Sequence, residues 1–393
     1  MRKKDDITKY YIFRFLTGIN FAEAIFVLFL LSLQLNYTQF LITQSVFALT
    51  VLISQVPAGA LSDLRSRKGV IKFGTFVGII ASLVMATSNG FYQVILAEVL
   101  FGVAIAFSFG TIGSFAYDTM IENKKESMSK KIFSRGTSYM LIGGMIGPLI
   151  GGLVANQFGL RMGMFTNIAA WTLMFLFSFS LKEPIVKRKK EANYFQQIKI
   201  SYNICRKNTL LVYLIVNFVV IALCSWLIHD LIQPRFQEIE VSVWSIGLIF
   251  AGVNFSSAII SNFADDLERR IGIKKSILFS SILIILGTII VGLFEVPSIV
   301  IAGFFLTRVF LRFREPLFTD YFNKLVGSDK RATVISFANF LYWFLFAIFG
   351  VVIGFFVDRF GLATIFLSFS VIMALVVLLT RISEEDENRL NGS

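Results

Sequence analysis

The chain has 393 residues, 56% of them hydrophobic and 16% charged, with a mean hydropathy of +0.74. A soluble domain of this size has too little interior to hide that much apolar surface, so lipid must cover much of it. The net charge of +12 does not point to nucleic acid, because the basic residues fall in short loops between apolar runs.

Spanning a hydrocarbon core takes about 20 mostly apolar residues. Runs of that kind predict twelve spans, at 10–35, 39–61, 70–90, 92–116, 132–156, 162–181, 208–232, 241–263, 275–294, 298–318, 334–357 and 362–380. Backbone groups in lipid must be satisfied within each span, so the expected fold is an all-α membrane protein of twelve transmembrane helices. The first run continues to Leu35 without a small-residue cleavage site and reads as an uncleaved span rather than a signal peptide.

Alternate loops separate by charge. Arg65, Arg67 and Lys68, then Lys124, Lys125, Lys130 and Lys131, then Lys187, Arg188, Lys189 and Lys190, then Arg269, Arg270, Lys274 and Lys275, and finally Lys330 and Arg331 fall on one side. The opposite loops hold Arg161, Arg235 and Arg359 as their basic residues. By the positive-inside rule the basic side is cytoplasmic, which places both termini on the cytoplasmic side of the cell membrane.

The stretch from Lys182 to Asn208 is long, basic and polar, and divides the chain into a six-helix bundle at 1–183, a linker at 184–207 and a second bundle at 208–393. The two bundles share a register. Asp63 and Asp265 differ by 202, as do Arg67 and Arg269, Asp118 and Asp320, Ser134 and Ser336, and Gly152 and Gly354. Phe158, Gly159 and Leu160 repeat at the same offset as Phe360, Gly361 and Leu362. Parallel repeats of this kind place a substrate site at the midplane between halves that alternate in access.

After the second span, Gly59, Leu61, Asp63, Arg67 and Lys68 are spaced as in G-x-L-x-D-R-x-G-R-K/R, with a partial echo at Asp265 and Arg269. In the fifth span Gly143, Gly147, Pro148, Gly151 and Gly152 complete G-x-x-x-G-P-x-x-G-G. On these motifs and the repeat the chain resembles the major facilitator superfamily, in particular its drug:proton antiporters. The resemblance implies a secondary transporter, with the first motif in a cytoplasmic gate. Leu64 and Ser66 depart from the gate motif, and Glu98 stands where the family's fourth helix normally holds arginine. Independently of the family, Asp63 can pair with a nearby arginine or sit at a helix N-terminus. Asp118 and Asp320 end equivalent spans and join the expected gate network, with Arg135 one possible partner for Asp118. The fifth-span glycines permit close helix approach, and Pro148 bends the span.

Ionisable groups inside a bilayer are costly and are functional candidates by default. Glu23 with Asn20 in the first span, Glu98 in the fourth, His229 and Asp230 in the seventh and Arg308 in the tenth are the proton-coupling or substrate candidates. Arg308 is the natural partner for an acid or an anionic substrate, whereas Arg312, Arg314 and Glu315 approach the cytoplasmic end and read as anchors or gate charges. Asn254, Asn339 and Tyr342 are candidate cavity-lining residues. Two cysteines, Cys205 and Cys224, have no metal or disulfide spacing, and no nucleophile–base set or phosphate loop occurs. The expectation is a monomeric, proton-coupled exporter of small amphipathic or drug-like molecules, with no metal or cofactor. The alternative is an uptake symporter or uniporter for a small metabolite, an anionic one being the kind that Arg308 suits.

Overall fold

The computed structural model describes residues 2–64, 66–185, 203–206, 208–260, 263–326 and 331–381, and among these the chain is all-α, without a strand. Most of the linker expected at 184–207 therefore lies outside the described residues, as do Arg65 and Lys330. Nine of the described helices are long and apolar enough to cross a membrane. Three local departures account for the difference from twelve. Spans eleven and twelve run on as one helix, Arg331–Leu379, interrupted at Gly361. Span ten, Pro297–Leu325, is long enough, but four charged residues in its middle, Arg308, Arg312, Arg314 and Glu315, lower its apolar character.

The third departure is span one, which is not the continuous helix the hydropathy suggests. It is helical over Arg2–Gly18 and again over Phe26–Ser32. Between them the backbone turns through short bonds, Ile19 N–H to Leu16 (3.1 Å), Glu23 N–H to Asn20 (3.3 Å) and Ile25 N–H to Ala22 (3.0 Å). The Asn20 side-chain oxygen accepts from Ala22 N–H at 3.1 Å. Gly18 and Asn20 favour the break, one by backbone freedom and the other by offering the chain an alternative acceptor.

The helices group into two compact units, Met1–Glu191 with Val241–Phe255, and Ala192–Glu240 with Ser256–Ser393. The first unit packs through small residues. Gly78 lies under the Trp171 ring, which stacks on Phe109 with centroids 5.7 Å apart, and Gly74 meets the backbone of Ala104 and Ser108. Around these, Phe13, Ile71, Ile112, Phe115 and Met174 form a buried core. The second unit is centred on Leu211, Leu214, Phe313, Phe318, Tyr321 and Val334, with Cys205 buried among them.

The repeat is visible in the backbone itself. Gly159 (φ 90°) joins spans five and six, and Gly361 (φ 78°), 202 residues later, marks the junction of spans eleven and twelve. Both adopt a left-handed conformation that glycine tolerates without penalty.

The fifth-span motif has two working faces within the first unit. Gly143, Gly147 and Gly151 meet span one, where a Cβ would fall on the carbonyl oxygen of Phe15, on the backbone of Asn20 and on the carbonyl oxygen of Phe21 respectively. One residue further round, Pro148 and Gly152 meet Gly247 of span eight, Val243–Ile260, and Asn254 donates to the Gly144 carbonyl at 2.7 Å. Each face is a four-residue series, the spacing that lets helix backbones approach and make Cα–H to carbonyl contacts.

Replacing Gly151 or Gly147 by alanine drives a methyl group into backbone atoms that no rotamer change can move. Such overpacking costs about 1–3 kcal/mol. Thermal melting of the purified variants is expected to show this loss, with Gly113→Ala as the control because a Cβ there meets nothing within 4 Å. Burial pushes the Cys205 thiol up to about 11. Little of it is thiolate at pH 7.5, so maleimide labelling of the folded protein is expected to be slow and to accelerate on unfolding.

Candidate functional site

The first cluster closes the end of the first unit where span two gives way to span three. Arg67, buried in the first turn of span three (Arg67–Ala86), places its guanidinium 3.0 Å from the Asp118 carboxylate and 3.7 Å from Asp63. The buried Arg67–Asp118 contact is the closer one, and Asp63 is the more exposed acid. Arg67 is thus a cation on Asp118. The acid at the helix N-terminus is not Asp63. Glu183, just beyond span six, accepts from Arg67 N–H (2.9 Å), Lys68 N–H (2.8 Å) and the Ser66 hydroxyl (2.7 Å). A carboxylate there satisfies orphan amides and complements the helix dipole. Lys68 donates to the Phe179 carbonyl at 2.8 Å, and Lys182 pairs with Glu122 at 3.3 Å.

In the second unit Arg269 is exposed, while the side chains of Asp265 and Asp320 lie outside the described residues. Gly59 is exposed with open space around it, so packing does not demand glycine there.

At the other end of the spans, arginines serve as caps on helix C-termini. Arg161 donates to the Ala86 carbonyl at the end of span three, and Arg235 donates to Phe294 beyond span nine. Basic side chains on terminal carbonyls satisfy groups that the helix leaves open.

The mid-span candidates separate into two groups. In the first unit Glu98 is buried and accepts from Gln44 at 3.2 Å, while Glu23 and the exposed Asn20 sit in the break of span one. Asn254 braces the fifth-span motif, as described above. In the second unit Arg308 is buried, donates to the Ser225 carbonyl at 3.3 Å and lies 4.4 Å over the Trp226 ring. Arg312, one turn on, is 5.6 Å from the same ring and donates to Glu315 at 2.8 Å. His229 is buried beside Trp226, its ring nitrogen 3.4 Å from Asp230. Tyr342 packs against the core that holds Leu211, Leu214 and Phe313, which brings span eleven beside spans seven and ten. Asn339 is exposed, a turn before Tyr342.

Arg314 is not a helix-end anchor. It is 1% exposed, and its guanidinium donates to the Asn217 side-chain oxygen and the Ser281 hydroxyl and lies 4.9 Å from the Phe318 ring centroid. Asn217 in turn donates to Thr380 at 2.7 Å, which ties spans seven, nine, ten and twelve together. A cation held by neutral acceptors keeps much of its desolvation cost, so its hydrogen bonds matter more than its charge. The sequence signal was present in the coincidence of Asn217, Ser281 and Arg314 inside apolar runs, but their spacing does not show that they meet.

A model of the Major Facilitator Superfamily matches residues 10–347. The chain belongs to this superfamily. It is a multi-pass membrane protein, with nine of the described helices long and apolar enough to cross a bilayer. Among curated relatives, the multidrug resistance protein MdtG of Salmonella choleraesuis (strain SC-B67) is 25% identical over 64% of this chain and 63% of the relative. MdtG of Proteus mirabilis (strain HI4320) is 26% identical over 60% and 58%. The chain thus spans about three fifths of the length of the curated relatives it matches.

Solved structures share the fold at low identity. A mutant of the nucleoside transporter NupG superposes with a TM-score of 0.83 at 15% identity, covering 96% of this chain and 99% of that one. A POT family transporter in complex with 5-aminolevulinic acid gives 0.77 at 10% identity, covering 95% and 94%. In this superfamily member Asp63 and Arg67 lie in the motif loop and Asp118 at the end of span four.

Arg67→Met leaves buried Asp118 without its guanidinium and is expected to cost about 3–5 kcal/mol. Asp63→Asn should cost less than about 1 kcal/mol, because that contact is longer and more exposed. Thermal melting of the two purified variants compares them directly.

Proposed function

We propose that the protein is a proton-coupled exporter of small amphipathic or drug-like molecules, working by alternating access as a monomer in the cell membrane. Both termini are cytoplasmic in this reading, on the strength of the basic loops. The observation that carries it is the complete fifth-span signature, whose two faces engage span one and span eight within one unit. Its glycines lie against the segment in which Glu23 and Asn20 interrupt span one. A carboxylate on an interrupted helix can gain and lose a proton as its surroundings change from wet to dry. The name multidrug resistance protein carried by the MdtG relatives supports the export direction.

In this scheme the bundles at 1–183 and 208–393 move against each other. Gly59, Asp63, Arg67, Lys68 and Asp118, with Asp265, Arg269 and Asp320 in the second half, form the cytoplasmic gate. Glu98, held by Gln44, is the second candidate proton carrier. A second reading, uptake of a small anionic metabolite, is favoured by the mid-span arginines Arg308 and Arg312.

Proteoliposomes carrying a pH-sensitive dye test the coupling. Addition of substrate is expected to move protons against the substrate, and substrate flux without proton movement rules the coupling out. Glu23→Gln is expected to abolish gradient-driven flux while sparing exchange; an unchanged gradient-driven rate removes Glu23 from the scheme.

A further inference from the structure

The cluster on spans seven, ten and eleven lies wholly within the second unit and is built unlike anything in the first. Two guanidinium groups, Arg308 and Arg312, share one indole, Trp226, at 4.4 and 5.6 Å. They are four residues apart on one helix, where like charges repel. Holding two cations together inside a membrane span is costly, and the cost falls when an anion sits between or beside them. A guanidinium presents a planar fork of N–H donors whose geometry suits a carboxylate or phosphate.

The cluster also holds two acids. Glu315 accepts from Arg312 on its own helix at 2.8 and 3.0 Å, and Asp230 lies beside His229 at 3.4 Å. Arg312, Glu315 and Asp230 keep side-chain exposures of 26%, 40% and 23%. Charged heads at mid-span avoid lipid, so this exposure marks a wet face. Beside it Tyr342 and Trp343, both half-buried, form an aromatic pair with centroids 5.3 Å apart, a surface for an apolar body.

Comparison of the halves shows that this chemistry is loaded on one side. At the offset of 202, Trp226, Arg308, Arg312, Glu315 and Tyr342 correspond to Ala24, Ala106, Gly110, Gly113 and Met140. The first half therefore has no cationic or aromatic counterpart at these positions, whereas the gate residues recur in both halves. Charges kept in one repeat alone are not required by the shared fold.

We propose that the transported molecule carries an anionic group, carboxylate or phosphate in class, that docks on Arg308 and Arg312 beside Trp226 with its apolar body on the Tyr342 and Trp343 side. This rests on the transporter assignment and narrows the amphipathic substrate class of the preceding section; it does not depend on proton coupling or on direction.

Three probes with one body test it: 2-naphthoate, 2-naphthamide and 2-naphthylmethylammonium, titrated against the full-length protein in nanodiscs and read by tryptophan fluorescence and calorimetry. A charge-assisted hydrogen bond is worth about 1.5–3 kcal/mol, or roughly 10–100-fold in affinity. The naphthoate is therefore expected to bind at least about tenfold more tightly than the amide. Arg308→Gln should erase that ratio while leaving amide binding in place, and Arg308→Lys should keep part of it. Arg312→Gln, expected to lower the same ratio, serves if Arg308→Gln does not fold. Preference for the ammonium probe, equal binding of all three, no binding of any, or a naphthoate ratio unchanged by either glutamine variant overturns the proposal. If naphthoate binds as expected while liposomes show no proton movement, the anion site stands and the proton-coupled exporter reading falls; proton-coupled flux of ammonium compounds that ignores both arginine variants gives the reverse.

Discussion

A backbone that leaves its helix at membrane depth must be covered by protein, because lipid offers it no hydrogen bonds. Span one leaves its helix after Gly18 and regains it at Phe26. What covers the gap is span five, whose Gly143, Gly147 and Gly151 bring a bare helix surface against the main chain of Phe15, Asn20 and Phe21. Any side chain on that face would hold span one away and expose the break. The break in one helix and the glycine series in another are thus one device, and Glu23 is placed where regular helix is missing.

The same helix serves a second neighbour. Pro148 and Gly152 lie against Gly247, and the Gly144 carbonyl receives Asn254. Two four-residue series, offset by one, explain why the motif ends in a glycine pair: Gly151 belongs to one face and Gly152 to the other. A small-xxx-small stripe alone needs only one of them.

Charge is used differently in the two units. In the first, the cations meet acids and helix ends: Arg67 lies on Asp118, and the amides of Arg67 and Lys68 lie on Glu183. In the second, Arg308 lies over an indole, Arg312 lies near the same ring and pairs with Glu315, and a third, Arg314, is held by an amide oxygen and a hydroxyl. For Arg314 the neutral partners hold the guanidinium in position without cancelling its charge, which suits a bundle that must keep its shape.

Hydropathy, loop charge and the constant offset of 202 determined the twelve spans and the repeat, because these depend only on the order of residue types along the chain. The repeat reaches even the left-handed turns at Gly159 and Gly361. The motif loop and the fifth-span signature were likewise legible, since their chemistry is carried by residues a few positions apart. Tertiary structure decided the rest. Apolar composition cannot reveal that span one breaks, because the broken segment stays as hydrophobic as a helix and its cover comes from residues more than a hundred positions away. Nor can local spacing pair Arg67 with Asp118, bring Glu183 to the start of span three, or assemble Arg314 with Asn217, Ser281 and Thr380. Those contacts join different spans, and which faces of the spans meet is settled by packing against neighbours, not by the sequence of any single span.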